Sequence, residues 1–379
     1  MRTRSLALVV TAATSALVLA ACGGSSSGGT SSSAAASSSA PASSSAPASS
    51  SAAAAAKVGV ILPDSASSAR WETADRKYLT DAFTAAGVEF DIQNAGGDKA
   101  KFTTLCDGMI SGGVNVLMIV NLDSDTGAAC SKKAAAQGIK TIDYDRLTLG
   151  GGASVYVSFD NVAVGTAMGT GLVKCLKDAG VTTGAVDLLN GSPTDNNATL
   201  FKQGYEKAIK DAGFTIGQDQ SVPDWDNTKA GTIFEQMFAK DPNIVGVNAA
   251  NDGLGGAAIA VLAKNNLAGK IPVTGQDATD EGLTRVLEGT QCVTVYKAIK
   301  KEADAAAAAA IALAKGETPQ TNGTVKDSVS GMDVPSVLLV PQAIFTDNVK
   351  DVIADGFTTA AKICTTEAAK AACTKLGIS

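Results

Sequence analysis

Nine residues of this chain have the types and positions to do binding chemistry: Arg70, Trp71, Asp145, Arg146, Asn197, Trp225, Asn251, Asp277 and Lys297. They comprise three cations, two carboxylates, two amides and both tryptophans of the sequence. Arg70-Trp71 sits in the loop after KVGVIL, and Asp145-Arg146 ends the run Ile139–Tyr144. The others follow further short apolar runs. In an open parallel sheet, ligands sit outside the carboxyl ends of the strands, where such loops gather. The chemistry fits a sugar. Apolar C–H faces can stack on indole rings, and hydroxyls both donate to and accept from Asp, Asn, Arg and Lys. The alternative for each tryptophan is an ordinary core position, and for Asp145-Arg146 an inert surface ion pair.

The elements that must position these residues alternate. Strands are expected at Lys57–Leu62, Val88–Ala95, Val114–Asn121, Ile139–Tyr144 and Ser154–Phe159, with helices over Trp71–Ala86, Ala100–Ile110 and Thr126–Gln137. The rhythm then restarts, from a helix at Val162–Ala179 to a strand at Cys292–Tyr296 and an alanine-rich helix at Ala298–Ala314. Such βαβ alternation predicts parallel sheets with helices on both faces. Two similar α/β halves of about a hundred residues each fit the domain-size prior. The stretch through Val334–Pro341 is free to return and complete both sheets.

Composition excludes several functions. There is no histidine, so Ser-His-Asp and Cys-His catalysis and His-ligated metals are excluded. The net charge of −6 argues against nucleic acid. No G-x-x-x-x-G-K-[ST] occurs, so the chain is not an ATPase. Asp123-Ser124-Asp125-Thr126-Gly127 resembles part of a calcium loop but lacks the distal Glu, and is read as a helix cap. No catalytic residue, metal or cofactor is expected.

Residues 1–21 carry Arg2 and Arg4 before an apolar stretch, the pattern of a signal peptide. They end in Leu19-Ala20-Ala21-Cys22, which resembles a bacterial lipobox with Cys22 as the acylated residue. Removing residues 1–21 takes away two cations, Arg2 and Arg4, and no acid, so −6 becomes −8. Residues 22–56 are that cysteine and a Ser/Ala/Gly linker too polar and small to form a core.

From Lys57 almost to the end, the sequence resembles the periplasmic xylose-binding proteins, solute receptors of ABC sugar importers. The matching stretches are ARW (69–71), YDR (144–146), YVSFDN (156–161), GSPTDNNA (191–198), NDGLGGA (251–257), GQDA (275–278), GTQCVTVYK (289–297) and DVPSVLL (333–339). The resemblance implies the type I periplasmic-binding-protein fold: two Rossmann-like lobes joined by three hinge crossovers, with a sugar in the cleft. It implies lobes of residues 57–158 plus 298–334 and 159–297 plus 335–379. It also implies sugar contacts at Arg70, Trp71, Arg146, Asn197, Trp225, Asn251, Asp277 and Lys297, with Asp145 added from related pentose receptors. By the same analogy, the two tryptophans sandwich the sugar ring. The loop Pro63–Ser68 departs from the family's more charged version.

Six cysteines remain besides Cys22, and an even number in an exported chain suggests disulfides. Cys106–Cys130 and Cys364–Cys373 are close in sequence, which leaves Cys175–Cys292; buried free thiols are the alternative. The chain is thus expected to be a monomeric, lipid-anchored extracytoplasmic receptor that delivers an aldopentose, D-xylose first, to a membrane permease. Alternatives are a receptor for glucose or arabinose, a chemoreceptor partner, a glycosidase using Asp145 and Asp277, or a repressor of the same fold.

Overall fold

The computed structural model describes residues 56–378. The expected signal peptide, Cys22 and all but the last linker residue lie outside them.

The first lobe begins with β1 (Lys57–Leu62), a π-helical turn at Trp71–Asp75 and α1 (Arg76–Ala86). It continues through β2 (Glu89–Asn94), α2 (Lys99–Ser111), β3 (Val116–Ile119), α3 (Ser124–Ala136), β4 (Lys140–Tyr144) and β5 (Val155–Phe159). The second lobe runs through α4 (Asn161–Asp178), β6 (Ala185–Asn190), α5 (Asn196–Asp211), β7 (Thr215–Ser221) and α6 (Asn227–Lys240). It goes on through β8 (Ile244–Ala249), α7 (Asp252–Lys264), β9 (Thr274–Gln276), α8 (Asp280–Glu288) and β10 (Val293–Tyr296). The chain then returns to the first lobe with α9 (Ile299–Ala314), β11 (Gly323–Lys326) and β12 (Asp333–Leu339). It ends in the second with β13 (Gln342–Ile344), α10 (Lys350–Ala354), α11 (Ala360–Ile363) and α12 (Glu367–Leu376).

The first sheet has the order β11-β12-β5-β4-β3-β1-β2, parallel except for β11. The second holds β7-β6-β8 and β9-β10-β13, joined by a single parallel bridge between Val247 and Val273. β13 is antiparallel to β10. The strands form because short apolar runs such as Val116–Ile119 are buried on both faces between helices. The helices start where side chains satisfy their free N–H groups. Asp98, Asp123, Asp160, Asp195, Asp226 and Asn251 each accept from the first turn of the helix that follows. Asp123 is therefore a cap, as its spacing indicates.

The chain crosses between the sheets three times: after β5, after β10 and after β12. Two crossings are tied together, since Asp160 N donates to Leu339 O at 2.9 Å. The last crossing comes later than the expected boundary at 334, because all of Ser336–Leu339 pairs with β5. Disulfides join Cys106 to Cys130, Cys175 to Cys292 and Cys364 to Cys373, with Cα separations of 6.0, 6.4 and 6.2 Å. They tie α2 to α3, α4 to the start of β10, and α12 to the end of α11.

Candidate binding site

All nine residues singled out in the sequence line one cavity between the two sheets. The first lobe brings Arg70, Trp71, Asp145 and Arg146, and the second brings Asn197, Trp225, Asn251 and Asp277. Lys297 sits between them, directly after β10 at the second crossing. Backbone geometry aims several of these side chains. Asp145, Asp224, Trp225, Asp277 and Ala278 all have left-handed φ, between 48° and 93°. Non-glycine residues rarely hold such angles, and those that do cluster at functional sites.

The expected α-helix from Trp71 opens instead as a π-helical turn over Trp71–Asp75. Its wider repeat brings residues five apart into line. Arg70 accordingly forks onto Asp75, Nε to Oδ2 at 2.9 Å and Nη2 to Oδ1 at 2.8 Å. Nη1 donates to Asp145 at 2.9 Å and Nη2 also to Glu302 at 2.9 Å. Four of the five guanidinium donors are thereby engaged. The same guanidinium lies 4.2 Å from the Trp71 ring centroid and covers one face of that indole.

Asn197 is likewise fully engaged. Its amide donates to the Asp145 carbonyl at 2.9 Å and the Asp145 carboxylate at 3.2 Å. Its oxygen accepts from Asn161 at 2.9 Å and from Tyr156 at 3.4 Å. These bonds connect the first lobe to α5 of the second. Arg146 makes another link, its Nε 3.1 Å from Asp195 Oδ2. Asp195 also accepts from Trp225 Nε1 at 3.0 Å. The benzo ring of Trp225 lies so close to Gly191 that a Cβ there would sit 2.0 Å from it, so only glycine fits. Close packing also sets α5, since a Cβ on Gly165 of α4 would fall 2.0 Å from the Phe201 carbonyl oxygen.

Charge is balanced by contact. Lys297 Nζ lies 3.1 Å from Asp277 and 3.6 Å from Asp145. Burial works against the Lys297 ammonium, but Asp277 and Asp145 raise its pKa. Burial would push the Asp145 carboxyl up, yet Lys297, Arg70 and Arg146 together hold it below the usual carboxylate range. Asp145 is therefore an ionised acceptor and no general acid.

Sequence reasoning missed Ser67, Ser68, Asp195, Phe201 and Gln276 in the lining. Asp195 and Gln276 lay inside matched motifs, and Phe201 follows Asn197 by four residues, on the same face of α5. The buried Asp75 and Glu302 behind Arg70 carried no local signal, and Tyr144 beside them was marked only by its place in the YDR stretch. Three lining atoms, Ser68 Oγ, Trp71 Nε1 and Gln276 Oε1, have no hydrogen-bond partner among the described residues, and a fourth, Asp277 Oδ1, has only the Lys297 ammonium beside it. Together they offer donors and acceptors around one cavity.

The family model for the periplasmic binding protein domain matches residues 58–318. This chain belongs to the periplasmic binding protein family. It is 35% identical over 307 residues to the D-xylose-binding periplasmic protein of Escherichia coli, covering 79% of this chain and 90% of that protein. It is 33% identical to the protein of the same name from Haemophilus influenzae, over 80% of this chain and 90% of that one. Among solved structures, a carbohydrate transporter solute-binding protein from Chloroflexus aurantiacus, in complex with D-glucose, superposes with a TM-score of 0.72 at 27% identity. That match covers 80% of this chain and 97% of the other. The relatives are named as binding proteins, and the fold is the type I arrangement of two α/β lobes.

Two buried acids beside this family's cleft bear on stability. Burial raises Asp143 to about 7 and Asp252 to about 6. Their folded-state pKa values lie above the unfolded ones, so their contribution is fully present below about pH 4 and is lost as pH rises through 6 to 7. The midpoint of thermal unfolding should therefore fall by several degrees between about pH 5 and about pH 8. A flat or rising midpoint over that range would show that these acids titrate normally.

Proposed function

We propose that this chain is the extracytoplasmic receptor of an ABC sugar importer, and that it captures an aldopentose, D-xylose first, in the cavity between its lobes. The observation that carries this is the set of three polar atoms without a partner among the described residues, Ser68 Oγ, Trp71 Nε1 and Gln276 Oε1, beside an Asp277 Oδ1 that meets only Lys297, in a cavity also lined by three aromatic rings. A polyhydroxylated ring meets both demands, with hydroxyls for the polar atoms and C–H faces for Trp71, Trp225 and Phe201. The names of the relatives support a monosaccharide, and D-xylose in particular. Closure about the three crossings would bury the sugar, and the closed form would be what the permease recognises. The nine residues named from the sequence then divide. Trp71, Arg146, Trp225, Asn251, Asp277 and Lys297 face the ligand, whereas Arg70 and Asn197 are occupied with protein partners and hold Asp145 in place.

A thermal-shift panel of aldoses and ketoses tests this directly, because a ligand of the folded state raises the midpoint by mass action. D-Xylose should give the largest shift, and a larger shift with glucose or arabinose would move the assignment within the aldoses. A panel without any shift would remove the sugar reading. The lipid anchor is tested separately. Cys22→Ser should release the protein from membranes without loss of sugar binding, and retention of the variant on membranes in high salt would refute acylation at Cys22.

A further inference from the structure

At the cavity wall and just behind it, four carboxylates converge on two cations. Asp75, Asp145, Glu302 and Asp277 surround Arg70 and Lys297 through contacts of 2.8 to 3.6 Å. Asp75, Glu302 and Arg70 are almost fully withdrawn from water. Two uncompensated anions in such a place would be far costlier than one proton.

The carboxylates are not equally served. Asp75 takes two bonds from Arg70 and a third from the Tyr144 hydroxyl at 2.6 Å. Asp145 has Arg70, Lys297 and the Asn197 amide. Asp277 has Lys297 and borders the cavity. Glu302 has a single bond among the described residues, Oε2 from Arg70 Nη2, and shares that nitrogen with Asp75; its Oε1 has no partner among them. The groups facing it are Arg70 and Asp75 from the π-helical turn, Asp145 from the end of β4, and Lys297 from the end of β10. Its place in the first turn of α9 favours an anion modestly. Burial and the Asp145 carboxylate outweigh this and push its carboxyl well above the usual range, against the pull of Arg70 and Lys297.

We propose that Glu302 is a positioning residue that works as a neutral carboxylic acid: its carbonyl oxygen fixes the Arg70 guanidinium, which in turn sets Asp145 and the Trp71 ring for the sugar. The acid sits on the helix that follows the second crossing, so it ties the hinge side of the first lobe to the floor of the cavity. It never touches the ligand. A neutral acid supplies the acceptor that Arg70 needs without adding a fourth anion to compete with Asp145 for it. This rests on the sugar-binding assignment above.

The test compares Glu302→Ala, Glu302→Gln and Asp75→Asn by calorimetry with D-xylose, alongside infrared difference spectra of wild type minus Glu302→Gln at neutral pH. Alanine should weaken binding about tenfold or more, and glutamine, which keeps the acceptor but no charge, should restore it to within about threefold of wild type. Asp75→Asn should not be tolerated in the same way, losing about tenfold or more, because Asp75 takes the Arg70 fork on both of its oxygens and an amide offers one acceptor only. The difference spectrum should contain the carbonyl band of a protonated carboxyl group. Glutamine as damaging as alanine, or a difference spectrum with only carboxylate bands, would overturn the neutral acid. Unchanged affinity in the alanine variant would overturn the positioning role. Where alanine prevents folding, the glutamine variant and the spectrum decide. A wild-type protein that binds no monosaccharide would remove the sugar assignment, and the spectrum would still settle the proton.

Discussion

Replacing Asp277 with alanine is expected to weaken sugar binding by about 2–4 kcal/mol, roughly 30- to 1,000-fold. Its Oδ1 lies 3.1 Å from Lys297 Nζ, has no other partner among the described residues, and belongs to a cavity-lining residue. Removal would take an acceptor from the sugar and leave a buried ammonium with Asp145 alone, at 3.6 Å. The backbone complicates alanine, because Asp277 has a φ of 93° and a β-carbon without a polar end is strained there. Asp277→Asn separates the effects. It keeps a side chain that tolerates left-handed backbone and loses the charge, so it should bind about tenfold or more weakly with near-normal unfolding. Calorimetry and thermal melts on the two variants provide the check. An alanine variant within about threefold of wild-type affinity would place the residue outside the ligand's reach.

Saturating sugar should change tryptophan emission, because Trp71 and Trp225 are the two tryptophans of the chain and both line the cavity. Each already touches the protein: Arg70, at 4.2 Å, and Arg146, at 5.6 Å, lie over the Trp71 ring, and Gly191 packs against the benzo ring of Trp225. Trp225 also meets the edge of Phe201, with centroids 6.4 Å apart. Trp225→Ala is expected to cost about 2–4 kcal/mol of affinity, and Trp225→Phe clearly less, since phenylalanine keeps a stacking face. Phenylalanine would still lose the indole N–H bond to Asp195, and with it part of the support for Arg146. A fluorescence titration beside calorimetry on one sample is decisive. Saturable heat with unmoved emission would return both rings to a purely structural role.

The alternation of strands and helices was legible in the sequence because it depends on local pattern. Short apolar runs such as Val58–Leu62 and Val116–Ile119, separated by amphipathic stretches with Asp or Asn caps, make parallel α/β layers with little long-range information. Strand order then places the carboxyl-end loops on one rim, so residues after the strands could be named as neighbours. The division of work among them could not be read there. Whether Arg70 and Asn197 face a ligand or the protein depends on which partners packing delivers, and Glu302 reaches Arg70 from 232 positions away. Nor could the sequence show that Trp71 begins a π-helical turn, on which the Arg70–Asp75 fork depends. It was equally silent on the full length of β12 in the first sheet, since Asp333–Leu339, buried at Val334 and Ser336 but exposed or half-buried elsewhere, reveals its partner only when β5 lies beside it. Hydrogen bonds act over about 3 Å, and a buried polar group takes the partner that tertiary packing sets at that distance.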